Sequence, residues 1–503
     1  MGHWVIAPVI LPAIVGAAIV LMMRHDLLLQ RVFSLASTLA LLGISVALLV
    51  AASHEGPEMY RLGNWPAPFG IVLMLDRLSA LMVTLTAVLA VCVQLYAIST
   101  DWDTRGRHFH ALFQFQVMGI AGAFLTGDAF NLFVFFEVLL IASYGLMIHG
   151  AGRDRLRAGV QYVAFNLVGS SLFLFALAAI YSITGTLNIA DLAVKAAALP
   201  EGDAALFRVA AVMLMLVFAI KGALVPLHFW LPATYAHAPG PVAALFAVMT
   251  KIGAYAAIRF GVMVLPPTNP VTGSLIADLM LPAALLTLII GALGVLGAGT
   301  LSRLSAFAAI ASMGTAFIAI SAFTPQGTAA ALYYIVHSTL AGAALFLITD
   351  LVVDRRAHDR LTEALPPIAQ AGLIAGLFMA AAIATAGMPP LSGFVGKLLV
   401  LDALRGQAAL VWSVILVTSF LIILGLARAG STLFWKDHAS APQGDAPAHK
   451  AEALSFVAVG MLLSGLVLHT VLAGPILHWM EVTAAGLHDP GAYIAANQLP
   501  EVK

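Results

Sequence analysis

Three of the seven lysines, Lys221, Lys251 and Lys397, lie inside long apolar stretches, and so does a glutamate, Glu137. An ionisable group at bilayer depth costs roughly 2.5–3.5 kcal/mol on insertion scales, so such residues mark candidate functional sites facing a polar interior. His337 occupies another apolar stretch, and His228 and His237 flank a proline-rich connection. Ammonium, imidazole and carboxylate groups in series can pass a proton, since histidine titrates near neutrality and a desolvated lysine releases its proton readily unless a carboxylate stands beside it. If Glu137 contacts Lys221, opening that pair is a switch that sends a proton inward. Plainer readings exist for the same residues. A buried Lys–Glu pair can lock packing, and a lysine near a helix end can snorkel. His228 and His237 can simply hold the connection together, Arg259 and Asp350 read as solvated or structural, and Asp76 and Asp128 as markers of the outer face.

The elements that position these groups are membrane spans. With 61% hydrophobic and 10% charged residues and a mean hydropathy of +1.00, the chain lies far from the roughly 25% charged residues of globular domains. A spanning helix needs about 20 apolar residues, and fourteen stretches qualify: 4–23, 31–52, 71–98, 109–126, 129–149, 159–183, 207–230, 240–264, 275–298, 302–322, 327–352, 368–400, 408–434 and 452–474. The first has no basic segment before it and is longer than a signal-peptide core, so it reads as retained. Loops after odd-numbered spans carry Arg24, Arg31, Arg105, Arg107, Arg153, Arg155, Arg157, Arg303, Arg355, Arg356, Arg360, Lys436 and Lys450, against Arg61, Lys195 and Arg405 on the other side. The positive-inside rule therefore puts the odd loops in the cytoplasm and both termini on the periplasmic side.

Two spans combine a buried lysine with proline. Lys221 precedes Pro226 by five residues, with Pro232 beyond; Lys397 follows Pro389 and Pro390, the latter by seven. Proline breaks or kinks a helix, and broken spans at matching places in two halves point to a transporter ion site. The seventh and twelfth spans are five apart, which suggests one membrane domain built as N-terminal helices (1–108), two five-helix units (109–264 and 275–434) and a C-terminal helix (452–474). One cysteine, Cys92, excludes a disulfide or a CxxC pair, and no phosphate-binding GxxxxGK[ST] or strand-borne GxGxxG occurs. The loops, of which 184–206 and 436–451 are the longest, leave no room for a soluble catalytic domain. Haem ligation is disfavoured because His337 has no evident partner histidine.

The segment from Pro226 through His237 to Leu245, Pro-Leu-His-Phe-Trp-Leu-Pro-Ala-Thr-Tyr-Ala-His-Ala-Pro-Gly-Pro-Val-Ala-Ala-Leu, resembles the signature of the proton-translocating, antiporter-like subunits shared by respiratory complex I and multisubunit cation/proton antiporters. Asp128-Ala-Phe-Asn-Leu-Phe-Val-Phe-Phe-Glu137 with Ser143-Tyr144, and Gly387-Met-Pro-Pro-Leu-Ser-Gly-Phe-Val-Gly-Lys397, resemble that family's fifth and twelfth helices. Leu62 to Ser79 looks most like the D-type subunits of Mrp/Pha antiporters. The resemblance implies an all-α fold of about fourteen transmembrane helices, two inverted five-helix repeats with discontinuous seventh and twelfth helices, and a hydrated axis in the membrane plane. It implies that Glu137 and Lys221 form a paired switch, Lys251 a central relay, His337 a bridge and Lys397 the terminal protonation site, with His228, His237, Pro226 and Pro389 in support. Many relatives carry lysine where this chain has Ala341, so a link from His337 to Lys397 needs water or other side chains. The implied protein has no cofactor, binds no nucleic acid, sits in a bacterial inner membrane among lipids, and exchanges Na⁺ or K⁺ for protons with partner subunits of types A, B, C, E, F and G. The rival functions are a proton-pumping subunit of NADH:quinone oxidoreductase or of a membrane-bound hydrogenase, and a non-conducting scaffold.

Overall fold

The computed structural model describes residues 2–200, 204–364, 366–436 and 453–499. Lys450 and most of the 436–451 connector lie outside the described residues. In chain order the elements are α1 (Ala7–Met22), α2 (Leu27–His54), β1 (Glu58–Arg61), β2 (Val72–Leu75), α3 (Arg77–Ser99), α4 (Phe109–Leu125), α5 (Ala129–Met147), α6 (Arg153–Thr184), α7 (Ile189–Ala197), α8 (Ala204–Lys221), α9 (Trp230–His237), α10 (Gly240–Met263), α11 (Leu275–Gly297), α12 (Leu301–Ile320), α13 (Pro325–Arg356), α14 (Ala371–Ala386), α15 (Ser392–Ala403), α16 (Ala408–Gly430), α17 (Ala453–Val471), α18 (Ala473–His488) and α19 (Gly491–Ala496). Among the described residues, eleven helices are long and apolar enough to cross a membrane, and α1, α4 and α14 are shorter apolar helices.

Helices dominate because a spanning backbone in lipid must satisfy its own polar groups. Where the chain surfaces, short polar side chains take over the free N–H groups of the next helix. Asp26 accepts from Leu29 N at 3.0 Å, Asp128 from Asn131 N at 2.8 Å and Thr324 from Gly327 N at 3.1 Å. Asp76 and Ser79 cap α3 reciprocally, each backbone N–H meeting the other's side chain at 2.9 Å.

The structure corrects the third span, which starts at Arg77 rather than at residue 71. Val72–Leu75 pairs antiparallel with β1, Glu58 opposite Leu75 and Arg61 opposite Val72. All four residues of β2 are buried, and a fully buried apolar strand has the same unbroken pattern as a helix end. The chain also continues past residue 474 as α18 and α19, elements for which the hydropathy gave no sign.

The loops separate onto two faces. On one, Asp103 accepts from Arg31 at 2.6 and 2.7 Å and meets His110 at 3.0 Å, while Arg155 Nε donates to the His237 carbonyl at 2.8 Å. On the other lies the β-hairpin. There Thr126 bridges to Leu73, Asp128 to Asn188, Asn188 binds Asn497 at 3.2 Å, and Arg61 binds Gln498 at 2.7 Å. His3 stacks edge-on against Tyr60 with ring centroids 5.8 Å apart, so both ends of the described chain reach this hairpin face. Arg77 and Arg208 add to its few cations: Arg77 donates to the Ser53 carbonyl at 2.6 Å and Arg208 to that of Val271 at 2.5 Å.

α10 runs through the middle, its apolar window wholly buried, against α13, α8 and α3. It fits because Gly253 has no side chain: a Cβ there would stand 2.6 Å from Gly222 N and 3.0 Å from the Lys221 carbonyl carbon, where α8 ends.

Candidate functional site

Both predicted breaks are present. α8 stops at Lys221 and helix resumes at Trp230, with Pro226 in the gap. The freed Ile220 carbonyl accepts from Trp230 Nε1 at 2.9 Å, and Val225 N donates to Thr287 Oγ1 of α11 at 2.9 Å. α14 ends at Ala386, Gly387 turns into the left-handed region at φ +74°, and Pro389 and Pro390 lead to α15. Each break leaves a lysine beside irregular backbone.

Lys221 is 5% exposed. Its Nζ donates to Asn166 Oδ1 of α6 at 3.1 Å and lies 5.4 Å from the centre of the Phe136 ring. Glu137, on α5, accepts a hydrogen bond from Ser170 of α6. Asn166 and Ser170 are one helical turn apart on α6, so α6 offers a neutral partner to each member of the expected pair. Among the described residues Glu137 makes no ion pair within 4.0 Å, with Lys221 or any other cation. The structure therefore places Glu137 and Lys221 on one patch of α6 without the direct contact that the switch would close.

Lys251, 1% exposed, sits near the centre of α10. Among the described residues it has no hydrogen-bond or ion-pair partner. Thr250 Oγ1, next to it in sequence, and Oε1 of Gln116 on α4, whose Nε2 donates to Met249 Sδ at 3.2 Å, are likewise buried without partners. His337, 2% exposed on α13, holds Ser392 Oγ with Nδ1 at 2.9 Å. Ser392 opens α15, and one turn and a half further on is Lys397. That ammonium donates to the Ala386 carbonyl at 2.7 Å and to Ser419 Oγ of α16 at 2.8 Å.

His337 and Lys397 face a common cavity of about 20 Å³ that Ala341, Ser338, Thr315 and Thr385 also line. A cavity of that size has room for about one water. Thr385 Oγ1 is buried there with no partner. Ala341 is one of several small residues that line the cavity, with Ala308, Ala311 and Gly342.

The supporting histidines divide. His228 lies in the first break, 7% exposed, with Nδ1 buried and unpartnered. His237 ends α9 at the arginine-rich face and lines a surface cavity of about 610 Å³ together with Arg153, Arg155 and Asp350. Of the two residues read as solvated or structural, Arg259 is 1% and Asp350 7% exposed, and each is held by buried partners. Asp350 accepts from Tyr96 Oη at 2.9 Å and Trp102 Nε1 at 2.8 Å, and Arg259 binds Asp76. Asn166, Ser170, Ser392 and Ser419 went unread in the sequence. The i, i+4 spacing of Asn166 and Ser170 inside an apolar helix was a usable sign; nothing marked Ser392 or Ser419. His469 of α17 also went unread, and it stacks on Tyr333, 4.1 Å between centroids, one turn before His337.

Residues 126–423 match the family described as NADH:quinone oxidoreductase/Mrp antiporter, TM. The chain is 38% identical to the D-type subunit of a probable K⁺/H⁺ antiporter of Rhizobium meliloti (strain 1021), over 97% of this chain and 96% of that one. It is 34% identical to the D-type subunit of the Na⁺/H⁺ antiporter of Bacillus subtilis (strain 168), over 99% of each. Its fold superposes on a chain of the solved Mrp complex from Dietzia sp. DQ12-45-1b with a TM-score of 0.86 and 27% identity, covering 99% of this chain and 100% of the other. A chain with two broken helices, each leaving a buried lysine beside the break, thus matches such subunits over nearly its whole length: it belongs to the NADH:quinone oxidoreductase/Mrp antiporter family and resembles its D-type antiporter subunits.

Proposed function

We propose that this chain is the proton-translocating subunit of a multisubunit Na⁺ or K⁺/H⁺ antiporter, in which Glu137, Lys221, Lys251, His337 and Lys397 relay protons that drive monovalent-cation efflux. One observation carries the reading: among the described residues, three lysines buried in apolar helices are held by neutral oxygens or by nothing, and none by a carboxylate. A lysine facing a carboxylate is trapped as an ion pair, and separating such a pair costs several kcal/mol. A lysine facing an amide or carbonyl oxygen can gain or lose its proton without breaking one. The separation of Glu137 from Lys221 is then one of the two positions of the switch, with Asn166 and Ser170 as the partners that hold it open.

The eleven long helices together with α1, α4 and α14 make the fourteen spans, with α8–α9 and α14–α15 each counted once across its break. Within that reading α4 to α10 and α11 to α16 are the two repeats, and each break falls in the fourth member of its repeat. On this reading, by the positive-inside rule, the arginine-rich face lies in the cytoplasm of a bacterial cell and the hairpin face outside it. As in the Mrp assembly, the chain works with other antiporter subunits, as a transporter component without chemistry of its own.

The test is cation-dependent proton movement in everted vesicles of an antiporter-deficient bacterial host expressing the complete complex. Adding Na⁺ or K⁺ dissipates a preformed pH gradient, and Lys221→Ala or Lys397→Ala in an assembled complex slows that by about tenfold or more, the rate equivalent of about 1.4 kcal/mol. Undiminished exchange with both lysines neutralised refutes the relay.

A further inference from the structure

The relay leaves unused a charge on α10 that is as deeply buried as Lys251, that of Arg259, 1% exposed. Lys251, Tyr255 and Arg259 succeed one another at four-residue intervals on α10, and such spacing puts side chains along one side of a helix. They form a polar stripe from mid-membrane to the hairpin face. Its hairpin end opens on a cavity of about 220 Å³ lined by Asp76, Arg77, Arg259, Thr483, Asp489 and Tyr493. A stripe leading from a relay lysine to a cavity at the opposite face is a short circuit for protons unless something closes it.

We propose that the Arg259–Asp76 pair closes it, acting as a fixed electrostatic seal between Lys251 and the hairpin-side cavity. This rests on the relay reading of Lys251. Arg259 is 1% exposed, and its two terminal nitrogens donate to the two oxygens of Asp76 at 2.5 and 2.8 Å. Asp76 is itself fixed as the cap of α3, its Oδ1 accepting from Ser79 N at 2.9 Å. Tyr255 Oη accepts from Arg259 at 3.3 Å and donates to the Phe124 carbonyl at 2.6 Å, so its one proton points away from the stripe. The rings of Tyr255 and Tyr493 cover the guanidinium, 5.4 and 5.0 Å from it.

Three properties make this arrangement a barrier rather than a path. A guanidinium does not give up its proton in a protein, so it cannot pass one on. A permanent positive charge in a narrow passage repels protons, as arginine does in pores that exclude them. The carboxylate that could receive a proton has its oxygens occupied by charged and backbone donors. Arg259 Nε and Tyr493 Oη, both of residues that line the cavity, are buried without partners. The unpartnered nitrogen of the pair is therefore a donor that keeps its proton.

The experiment uses the complete complex reconstituted in proteoliposomes with an internal pH-sensitive dye. A pH step is imposed in choline thiocyanate buffer, free of Na⁺ and K⁺, with thiocyanate as the permeant ion that compensates charge. Wild type is expected to hold the gradient, and Arg259→Gln to leak about tenfold faster, equivalent to about 1.4 kcal/mol of lost barrier. Arg259→Lys, which restores a charge but one that can titrate, is expected to leak less than Arg259→Gln and more than wild type. Lys251→Met added to Arg259→Gln is expected to return the leak to the wild-type rate, which a merely loosened fold would not do. Arg259→Gln/Asp76→Asn leaves no unpaired buried carboxylate, and it provides the same leak measurement if Arg259→Gln alone does not assemble. Assembled Arg259→Gln and double-variant complexes as tight as wild type overturn the seal, as does a leak that persists without Lys251. Because no transported cation is present, these results stand apart from the antiport assay, whose failure in wild type would instead refute the proposed function.

Discussion

Gly387→Ala tests whether the position of the Lys397 ammonium matters for transport. Gly387 has φ +74°, a conformation that costs a residue with a Cβ roughly 1–2 kcal/mol. The larger effect is on the neighbour. A Cβ built at residue 387 lies 2.7, 2.9 and 3.0 Å from Cδ, Cε and Nζ of Lys397, so the whole end of that side chain must move. It then leaves the Ala386 carbonyl at 2.7 Å and Ser419 Oγ at 2.8 Å. A hydrogen bond to a charged group contributes about 1.5–3 kcal/mol, so losing one of the two slows turnover roughly 10- to 100-fold. Gly376→Ala on the same helix is the control, since nothing lies within 4 Å of its Cβ. Both variants are measured for assembly by co-purification and for exchange in everted vesicles. If Gly387→Ala assembles and exchanges within about twofold of wild type, by a measure of about 0.4 kcal/mol, the placement of Lys397 does not set the rate and the argument fails.

Asn166→Leu removes the hydrogen-bond partner of Lys221 and is expected to cut exchange roughly 10- to 100-fold by the same magnitude; combined with Ser170→Ala it should be non-additive in a double-mutant cycle, and simple additivity would separate Glu137 from Lys221. Ala341→Leu fills the space of about 20 Å³ between His337 and Lys397 and is expected to slow exchange about tenfold while Ala341→Gly spares it, an equal rate in both showing that no water is needed there. At the hairpin face, burial pushes the Asp128 carboxyl up from 3.8 to about 6, against the backbone hydrogen bonds of Asn131 and Phe130. The native state then binds the extra proton between those values, so the contribution of this one group to stability is fully present below about pH 4 and is lost as pH rises to about 6, by at most about 2–3 kcal/mol. Thermal unfolding of the complex in detergent between pH 4 and 7 should lose that slope in Asp128→Asn, which keeps an oxygen for Asn131 N; an unchanged slope assigns it elsewhere.

Hydropathy and two proline clusters made most of the bundle legible in the sequence, since a run of about 20 apolar residues has few other fates. The hairpin was not, because Val72 to Leu75 continue the apolar run of α3 and only the cap at Asp76 divides them. α18 was not, because Pro475, His478 and Glu481 interrupt it. For the site, the ionisable residues declared themselves by cost, and the breaks at Pro226 and Pro389 told where backbone would be irregular. Their partners are another matter. Asn, Ser and Thr are cheap in a membrane helix, so Ser392 and Ser419 carry no signal and Asn166 and Ser170 only that of their i, i+4 spacing, and the pairing of all four is decided by how helices cross. Arg259 shows the same limit. Its place near a helix end leaves a solvated and a structural reading open, and the structural one fits, because α18, α19 and the hairpin cover that end, and the partner that makes its charge tolerable, Asp76, is 183 residues away.

The two kinds of buried charge in this chain follow from what each has to do. Arg259 is bound through two nitrogens to a carboxylate itself fixed by a helix cap, and such a pair is costly to open because either ion left alone is stranded in low dielectric. Lys221 and Lys397 are bound to an amide, a carbonyl and a hydroxyl, and Lys251 to no described group, so a change of charge strands nothing. An arginine would defeat the second purpose, for it stays protonated, and a lysine would serve the first poorly, for it can lose its charge where a permanent one is wanted. Lys251 and Arg259 stand two turns apart on one helix, in nearly equal burial of 1% each. Exchanging their types is therefore a sharper test of this division than removing either: Lys251→Arg should stop exchange while leaving the complex assembled and proton-tight, and retained exchange would mean that the central position needs only a positive charge and not a titrating one.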